Sequence, residues 1–336
     1  MKKILIVTDY RDLVRHDILA NSPGYLPKLV HHLQEQGFDV TVRQVSEIVN
    51  SDMSKIRGYY IIYASSEFHE YKLYIDDLLF QLSKNNVLIP RYEMFRAHHN
   101  KGYQELLKKE LGVHSLRAWY FGEYSECMRH ADEFDYPIVF KKTEGAGSHE
   151  VALVRNKQEL DRILKKKFRR KYYWWFLVKK SMKKYVFKNR YDDNYYSNSR
   201  TYGRFILQEF VPGLTEDWKI LIINRNYYFI NRKVPTNDFR ASGVGIKSYT
   251  KSPPQEVLDY AKKIYEAFRV PYISIDIGLS NGMCYLLEYQ SVHMGPVAVE
   301  RSQFHFFHDG DHWEKSMKKS DLAMEFARSI ADHIHG

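Results

Sequence analysis

Pro137-Ile138-Val139-Phe140-Lys141-Lys142-Thr143-Glu144-Gly145-Ala146-Gly147-Ser148-His149-Glu150-Val151-Ala152-Leu153-Val154 reads as a strand, a loop of small residues, and a second strand. A lysine at the end of an apolar strand is held rigidly, and a Gly-rich hairpin beside it can turn backbone N–H groups toward an anion. Together they suit a triphosphate. No Gly-Lys-Ser/Thr closes the loop and no helix starts there, so this is not a P-loop. An ordinary hairpin with an exposed lysine would carry the same pattern, and the segment needs support from elsewhere in the chain.

Two later segments supply it. Phe205-Ile206-Leu207-Gln208-Glu209-Phe210-Val211-Pro212-Gly213 is an apolar strand ending in Gln-Glu and a Pro-Gly break, whose freed backbone groups can read an adenine edge. Tyr272-Ile273-Ser274-Ile275-Asp276-Ile277 and Cys284-Tyr285-Leu286-Leu287-Glu288-Tyr289-Gln290 flank an Asn281-Gly282 turn and predict a hairpin. Alternation with period two on adjacent strands can put Asp276, Glu288 and Gln290 on one face. Three oxygen donors on one face suit a hard cation, most simply Mg²⁺ bridging ATP phosphates. Carboxylates facing inward from apolar strands are costly unless paired or metal-bound.

The rest of the chain is consistent with a globular α/β protein. Its 336 residues suggest two or three domains. A composition of 44% hydrophobic and 27% charged residues excludes a disordered or collagenous chain. No apolar run is long enough to span a bilayer, and Met1-Lys2-Lys3-Ile4-Leu5-Ile6-Val7 reads as a first strand rather than a signal peptide. Two cysteines, Cys127 and Cys284, are too few for a disulfide framework. The expected location is the cytoplasm, with peripheral membrane association open. Residues 1–90 alternate as an open βαβ domain with a buried parallel strand at Ile4–Val7, a helix through Leu26, Leu29, Val30 and Leu33, and strands at Val40–Val42, Tyr59–Tyr63 and Val87–Ile89. No Gly-x-Gly-x-x-Gly follows the first strand, so a dinucleotide fingerprint is absent. Residues 91–204 predict a small central α+β lid domain. Residues 205–336 predict an antiparallel-sheet domain interrupted by a helix over Gln255–Phe268 and closed by one through Leu322–Ile334.

The order of these elements resembles the ATP-grasp superfamily, and within it the carboxylate–amine ligases such as glutathione synthetase, D-alanine–D-alanine ligase and the ribosomal-protein glutamate ligases. The resemblance covers residues from about 1 to 300. It implies that Lys101 is the first phosphate-binding lysine and Lys141 the second. It makes Glu144, Gly145, Ala146, Gly147 and Ser148 the lid over the phosphates, and Gln208, Glu209 and Val211 the adenine hinge. Asp217 falls where a family acid usually holds the ribose, and Lys219 where many members carry arginine. Asn237-Asp238-Phe239-Arg240-Ala241-Ser242-Gly243 resembles the segment whose arginine, here Arg240, steadies the γ-phosphate and the acyl-phosphate. Asp276, Glu288 and Gln290 match the Mg²⁺ ligands. The implied activity is ATP-dependent ligation, in which a carboxylate becomes an acyl-phosphate and an amine displaces phosphate. An ATP-grasp kinase acting on a glycan or small-molecule acceptor is one alternative. A non-catalytic ATP-binding or membrane-surface scaffold is another. Neither the carboxylate nor the amine is legible, and a homo-oligomer is open.

One segment stands apart. From Arg162 to Arg190 there are thirteen Lys or Arg, no Asp or Glu, and eight aromatics. The net charge is +10, so removing this +13 leaves the remainder at −3: a near-neutral protein with one polycationic insert. Its aromatics, interleaved with cations, fit an anionic membrane surface or polyanionic glycan or a structural insert, and nucleic acid less well. His305, His308 and His312, with Gly310 among them, lack metal-ligand spacing and read as a surface loop. His293 is a candidate substrate contact.

Overall fold

The computed structural model describes residues 1–14, 24–145, 150–168, 173–188, 201–235, 238–240, 246–292, 294–295 and 297–336. The chain divides into two compact units, one made of residues 1–115 with 212–336 and the other of residues 116–211.

The first unit begins with β1 (Lys3–Thr8), α1 (Tyr25–Glu35), β2 (Asp39–Gln44), α2 (Val45–Val49), β3 (Tyr59–Tyr63), α3 (His69–Leu82), β4 (Val87–Ile89), α4 (Tyr92–His99) and α5 (Lys101–Glu110). The four strands form a parallel sheet in the order β2-β1-β3-β4, as the continuous apolar run at Ile4–Val7 predicts. Gly37, at φ +83°, follows α1 in a left-handed conformation that glycine adopts without steric cost. Helix α3 buries Ile75, Leu78, Leu79 and Leu82 along one stripe.

The second unit comprises β5 (Ala118–Glu123), α6 (Tyr124–Arg129), β6 (Ile138–Lys142), β7 (Val151–Val154), α7 (Lys157–Phe168), α8 (Tyr173–Tyr185) and β8 (Tyr202–Glu209). Its antiparallel sheet runs β5-β8-β6-β7. Strand β8 spans residue 204, the expected boundary between central and C-terminal domains. Its ladders to β5 and β6 place it in the same sheet as Lys141. One face of this sheet packs Ile138, Phe140, Phe205 and Leu207 against α6 and α7 through Cys127, Leu160 and Leu164.

The first unit resumes with β9 (Glu216–Ile223), β10 (Asn226–Lys233), β11 (Ile246–Ser248), α9 (Gln255–Phe268), β12 (Tyr272–Ser280), β13 (Met283–Gln290), α10 (Val297–Arg301), β14 (His305–Asp309), β15 (His312–Ser316) and α11 (Leu322–His335). These strands form one antiparallel sheet, β13-β12-β9-β10-β14-β15, with β11 on β10. The expected loop through His305, His308 and His312 is instead the hairpin β14–β15. Phe306 and Trp313 pack against the core, and His305 is buried beside Tyr228. Among the described residues, no group of three or more His, Cys, Asp or Glu stands ready for a metal ion, and no helix is long and apolar enough to cross a membrane.

Two cores join the parallel and antiparallel sheets within this unit. In one, Leu5, Val7 and Ile61 share a cluster with Trp218, Ile220, Ile222, Ile273, Ile275 and Phe268. In the other, Ile4 and Ile6 pack with Leu29 and Leu33 of α1, Phe326 and Ile330 of α11, and Leu221, Ile223 and Tyr272.

Candidate functional site

Alternation along β9 and β12 explains why chemistry gathers where it does. Trp218, Ile220, Ile222, Ile273, Ile275 and Ile277 occupy one face of the antiparallel sheet and are fully buried. The other face is apolar at one end, with Leu221, Ile223, Tyr228 and Tyr272. At the other end it carries Asp217, Lys219, Ser274 and Asp276. Across the strands, Asp276 lies opposite Glu288 on one side and Lys219 on the other, Ser274 opposite Gln290, and Asp217 opposite Arg232. A polar row therefore crosses β13, β12, β9 and β10.

A register shift builds this row. From the Asn281-Gly282 turn the β12–β13 pairs run regularly to Ile277 opposite Leu286, and would next oppose Asp276 to Leu287. Instead the register shifts and Asp276 faces Glu288. Without that bulge, Glu288 and Gln290 would point to the apolar face. The three expected oxygen donors do share a face, by means of the extra residue rather than by simple alternation.

The row is a charge network. Arg232 donates from Nε and Nη2 to the two carboxylate oxygens of Asp217 at 2.6 and 2.8 Å, and pairs with Asp276 at 2.9 Å. Lys219 approaches Asp276 at 3.5 Å, and Lys101 approaches Glu288 at 3.6 Å. Lys101 is fixed as the first residue of α5, capped by Asn100, whose Oδ1 accepts from the backbone N–H groups of Gly102 and Tyr103. Burial and then the neighbouring Asp276 push the Asp217 carboxyl up to about 6, against the pull of Arg232. For Asp276, burial acts upward, but Arg232 and then Lys219 outweigh it and hold the carboxyl below its ordinary value. Arg232 is held above its ordinary value by the two aspartates despite burial. Asp217 is buried with both oxygens engaged by arginine.

Arg232 is the residue that sequence reasoning missed. The available signal was a cation inside the apolar strand Phe229-Ile230-Asn231-Arg232, since a buried arginine demands a paired anion.

The donor chemistry is right for a hard cation. Two carboxylates face each other across a strand pair, with an amide two residues on, and the buried hydroxyl of Ser274 opposite Gln290 has no hydrogen-bond partner.

The second unit carries the expected residues from Lys141 to Val211, and the segment around Arg240 belongs to the first. Lys141, on β6, donates from Nζ to Oε1 of Gln208 on β8 at 2.6 Å, while the buried Nε2 of Gln208 has no partner. Lys141 is opposite Ile206, so Gln208 is its diagonal neighbour on the same face. Glu209 accepts from the backbone N–H of Arg117, Val211 is buried, and Glu144 pairs with Arg204 at 2.7 Å. Gly145 has φ +111°. Ala146, Gly147 and Ser148 lie outside the described residues, as do Asn237, Ala241, Ser242, Gly243 and His293. Arg240 grips Asp238 through Nε and Nη2, at 2.9 and 2.7 Å, and its hydrogen bonds draw the Asp238 carboxyl down to about 2.

No protein-family model matches the chain, and no curated protein matches it in sequence. Solved structures do match. D-cycloserine synthetase DcsG is 14% identical, with 99% of each chain covered and a TM-score of 0.57. A RimK domain ATP-grasp protein from Sphaerobacter thermophilus is 11% identical, over 99% of this chain and 100% of that one, with a TM-score of 0.54. The ATP-grasp ligase PsnB, complexed with minimal precursor, is 11% identical over the same shares, with a TM-score of 0.53.

Proposed function

From the premise that this chain has the ATP-grasp fold, we propose that it is an ATP- and Mg²⁺-dependent ligase joining a carboxylate to an amine. The observation that carries the reading is the polar row of Glu288, Asp276 and Lys219 with Arg232, joined by Lys101 from α5, on a face that is apolar farther along at Leu221, Ile223, Tyr228 and Tyr272. Buried charge is tolerated when paired or metal-bound, and such clusters of coupled titratable groups gather at functional sites.

In this reading ATP is the cosubstrate. Lys141, Gln208, Glu209 and Val211 take its adenine and α-phosphate. The loop at Glu144, Gly145, Ala146, Gly147 and Ser148 covers the phosphates, whereas Asp217, buried with both oxygens on Arg232, holds that arginine against Asp276 rather than reaching the ribose. Asp276, Glu288 and Gln290 would hold Mg²⁺, which when bound neutralises phosphate oxygens as a Lewis acid. Lys101, Lys219 and Arg240 offset the charge that builds on the transferring phosphoryl group. Lys101 and Lys219 already pair with Glu288 and Asp276 and so hold these carboxylates in place. The substrate carboxylate attacks the γ-phosphorus, ADP leaves, and an amine displaces phosphate from the acyl-phosphate to give an amide. No protein nucleophile is needed.

The test is phosphate release. Purified protein with ATP, Mg²⁺ and pools of carboxylates and amines should yield ADP and free phosphate together. Lys141→Ala and Glu288→Gln should each lower turnover roughly a hundredfold or more. ADP with a phosphorylated acceptor and no free phosphate would mean a kinase. Nucleotide binding without turnover would mean a binding module.

A further inference from the structure

Helix α8 is built inside out. At about 100° per residue, Leu177, Ser181, Trp174, Tyr185, Val178, Met182 and Trp175 fall on one continuous side. Lys179, Lys183, Lys180 and Lys184 fall on the other, joined by Phe176. A helix packed on a globular protein buries its apolar stripe. Here the stripe is the exposed side: Trp174 is 56% exposed, Trp175 51%, Met182 49% and Tyr185 70%. The partly covered residues, Phe176, Lys180 and Lys183, lie on the cationic side. The chain leaves the helix through Val186 and Phe187, which are also exposed. Trp174 and Trp175 stack on each other, with ring centroids 4.3 Å apart. A contiguous patch of this kind requires a cover.

The cover is identified by charge and residue type. Helix α8 contains four lysines and no acid, and no acid occurs between Arg162 and Arg190. Lys179 and Lys184 border the stripe on its two sides, where long side chains can reach past the apolar surface to anionic groups. A second copy of the same helix would bring like charge against like charge, and a soluble polyanion would leave the tryptophans uncovered. We propose that α8 is an interfacial helix that seats its Trp174–Tyr185 stripe in the headgroup boundary of an anionic bilayer, with its lysines on the lipid phosphates. This inference is independent of the ligase reading, since no residue of α8 belongs to the candidate site.

Co-sedimentation of the full chain tests it, using phosphatidylcholine vesicles with and without about 30 mol% phosphatidylglycerol, while tryptophan emission is followed. Binding is expected with the anionic vesicles alone, with a blue shift, and weakening as salt rises. Lys→Gln at positions 179, 180, 183 and 184 together should weaken it between roughly tenfold and a thousandfold. Trp174→Ser with Trp175→Ser should abolish the blue shift and cut binding at least tenfold, with far-UV circular dichroism and thermal midpoint unchanged. Absence of vesicle binding overturns the proposal. So does binding that ignores the tryptophan change but is matched by heparin or an oligonucleotide. Concentration-dependent dimers that the tryptophan variant disperses, without vesicle binding, would assign the stripe to a second copy instead.

Discussion

Arg232 is the cation shared by two aspartates on neighbouring strands. Asp217 and Asp276 are both buried, and the guanidinium reaches both. Arg232→Met removes the shared cation and leaves Lys219 alone, so at neutral pH it should cost about 3–5 kcal/mol in urea denaturation. The pH dependence has a definite sign. Asp217 binds its proton more tightly folded than unfolded, with a carboxyl near 6 against an ordinary 3.8. Its contribution to stability is therefore largest in acid and falls as pH rises through that window. The stability of wild type relative to Asp217→Asn should decline between pH 4 and 6 by roughly 1–3 kcal/mol. A difference flat in pH would mean that Asp217 does not titrate there. Arg232 escaped the sequence for a related reason. Its partners lie 15 and 44 residues away, and only the β10–β9–β12 ladder brings them together.

Elements show a similar division between what is local and what is not. Helix α9 runs over Gln255–Phe268, the predicted bounds, because Val257, Leu258, Ala261, Ile264 and Phe268 make an uninterrupted stripe. Strand β5 was not legible. Its pairing with β8 is irregular beside Gly122, and only Ala118 and Phe121 are buried, so alternation is too short to register. The hairpin β12–β13 was legible as a hairpin and as a donor cluster, but not in the bulge that aligns the donors. Turn chemistry fixes where pairing starts and is silent on a slip after four pairs. The strand β8 also contains a residue whose identity is set by packing. A Cβ at Gly203 would sit 2.2 Å from Cδ1 of Phe168, the last residue of α7. That ring is packed against Phe140 and Phe205 and has little room to retreat. Gly203→Ala should destabilise by roughly 1–3 kcal/mol. The loss should shrink in a Phe168→Leu background, and a double-mutant cycle by thermal melts would show a coupling of opposite sign to the single losses. Simple additivity would mean that the strand, not the ring, yields.

For the whole molecule, the organising fact is that the first unit is discontinuous and the second is not. The parallel sheet of residues 1–115 has no closed core of its own. Ile4 and Ile6 are covered with the help of Leu221, Tyr272 and Phe326, and Leu5 and Val7 share their cluster with Trp218, Ile220 and Ile273. Sequence alternation identified each sheet but could not tell that they share two cores, because a buried face does not name what covers it. Residues 116–211 instead bury Phe121, Cys127, Phe140, Leu160, Leu164, Phe205 and Leu207 among themselves. The two fragments should therefore behave differently when made alone. Residues 116–211 should unfold in one cooperative thermal transition with strand and helix signals lost together. Residues 1–115 should show no cooperative transition and should expose apolar surface to a hydrophobic dye. Adding residues 212–336 in trans should recover a sigmoidal melt and suppress dye binding, since that segment brings the missing half of both cores. A sharp melt from residues 1–115 alone would show that the parallel sheet closes without Leu221, Tyr272 and Phe326, and that the shared cores are not what holds the first unit together.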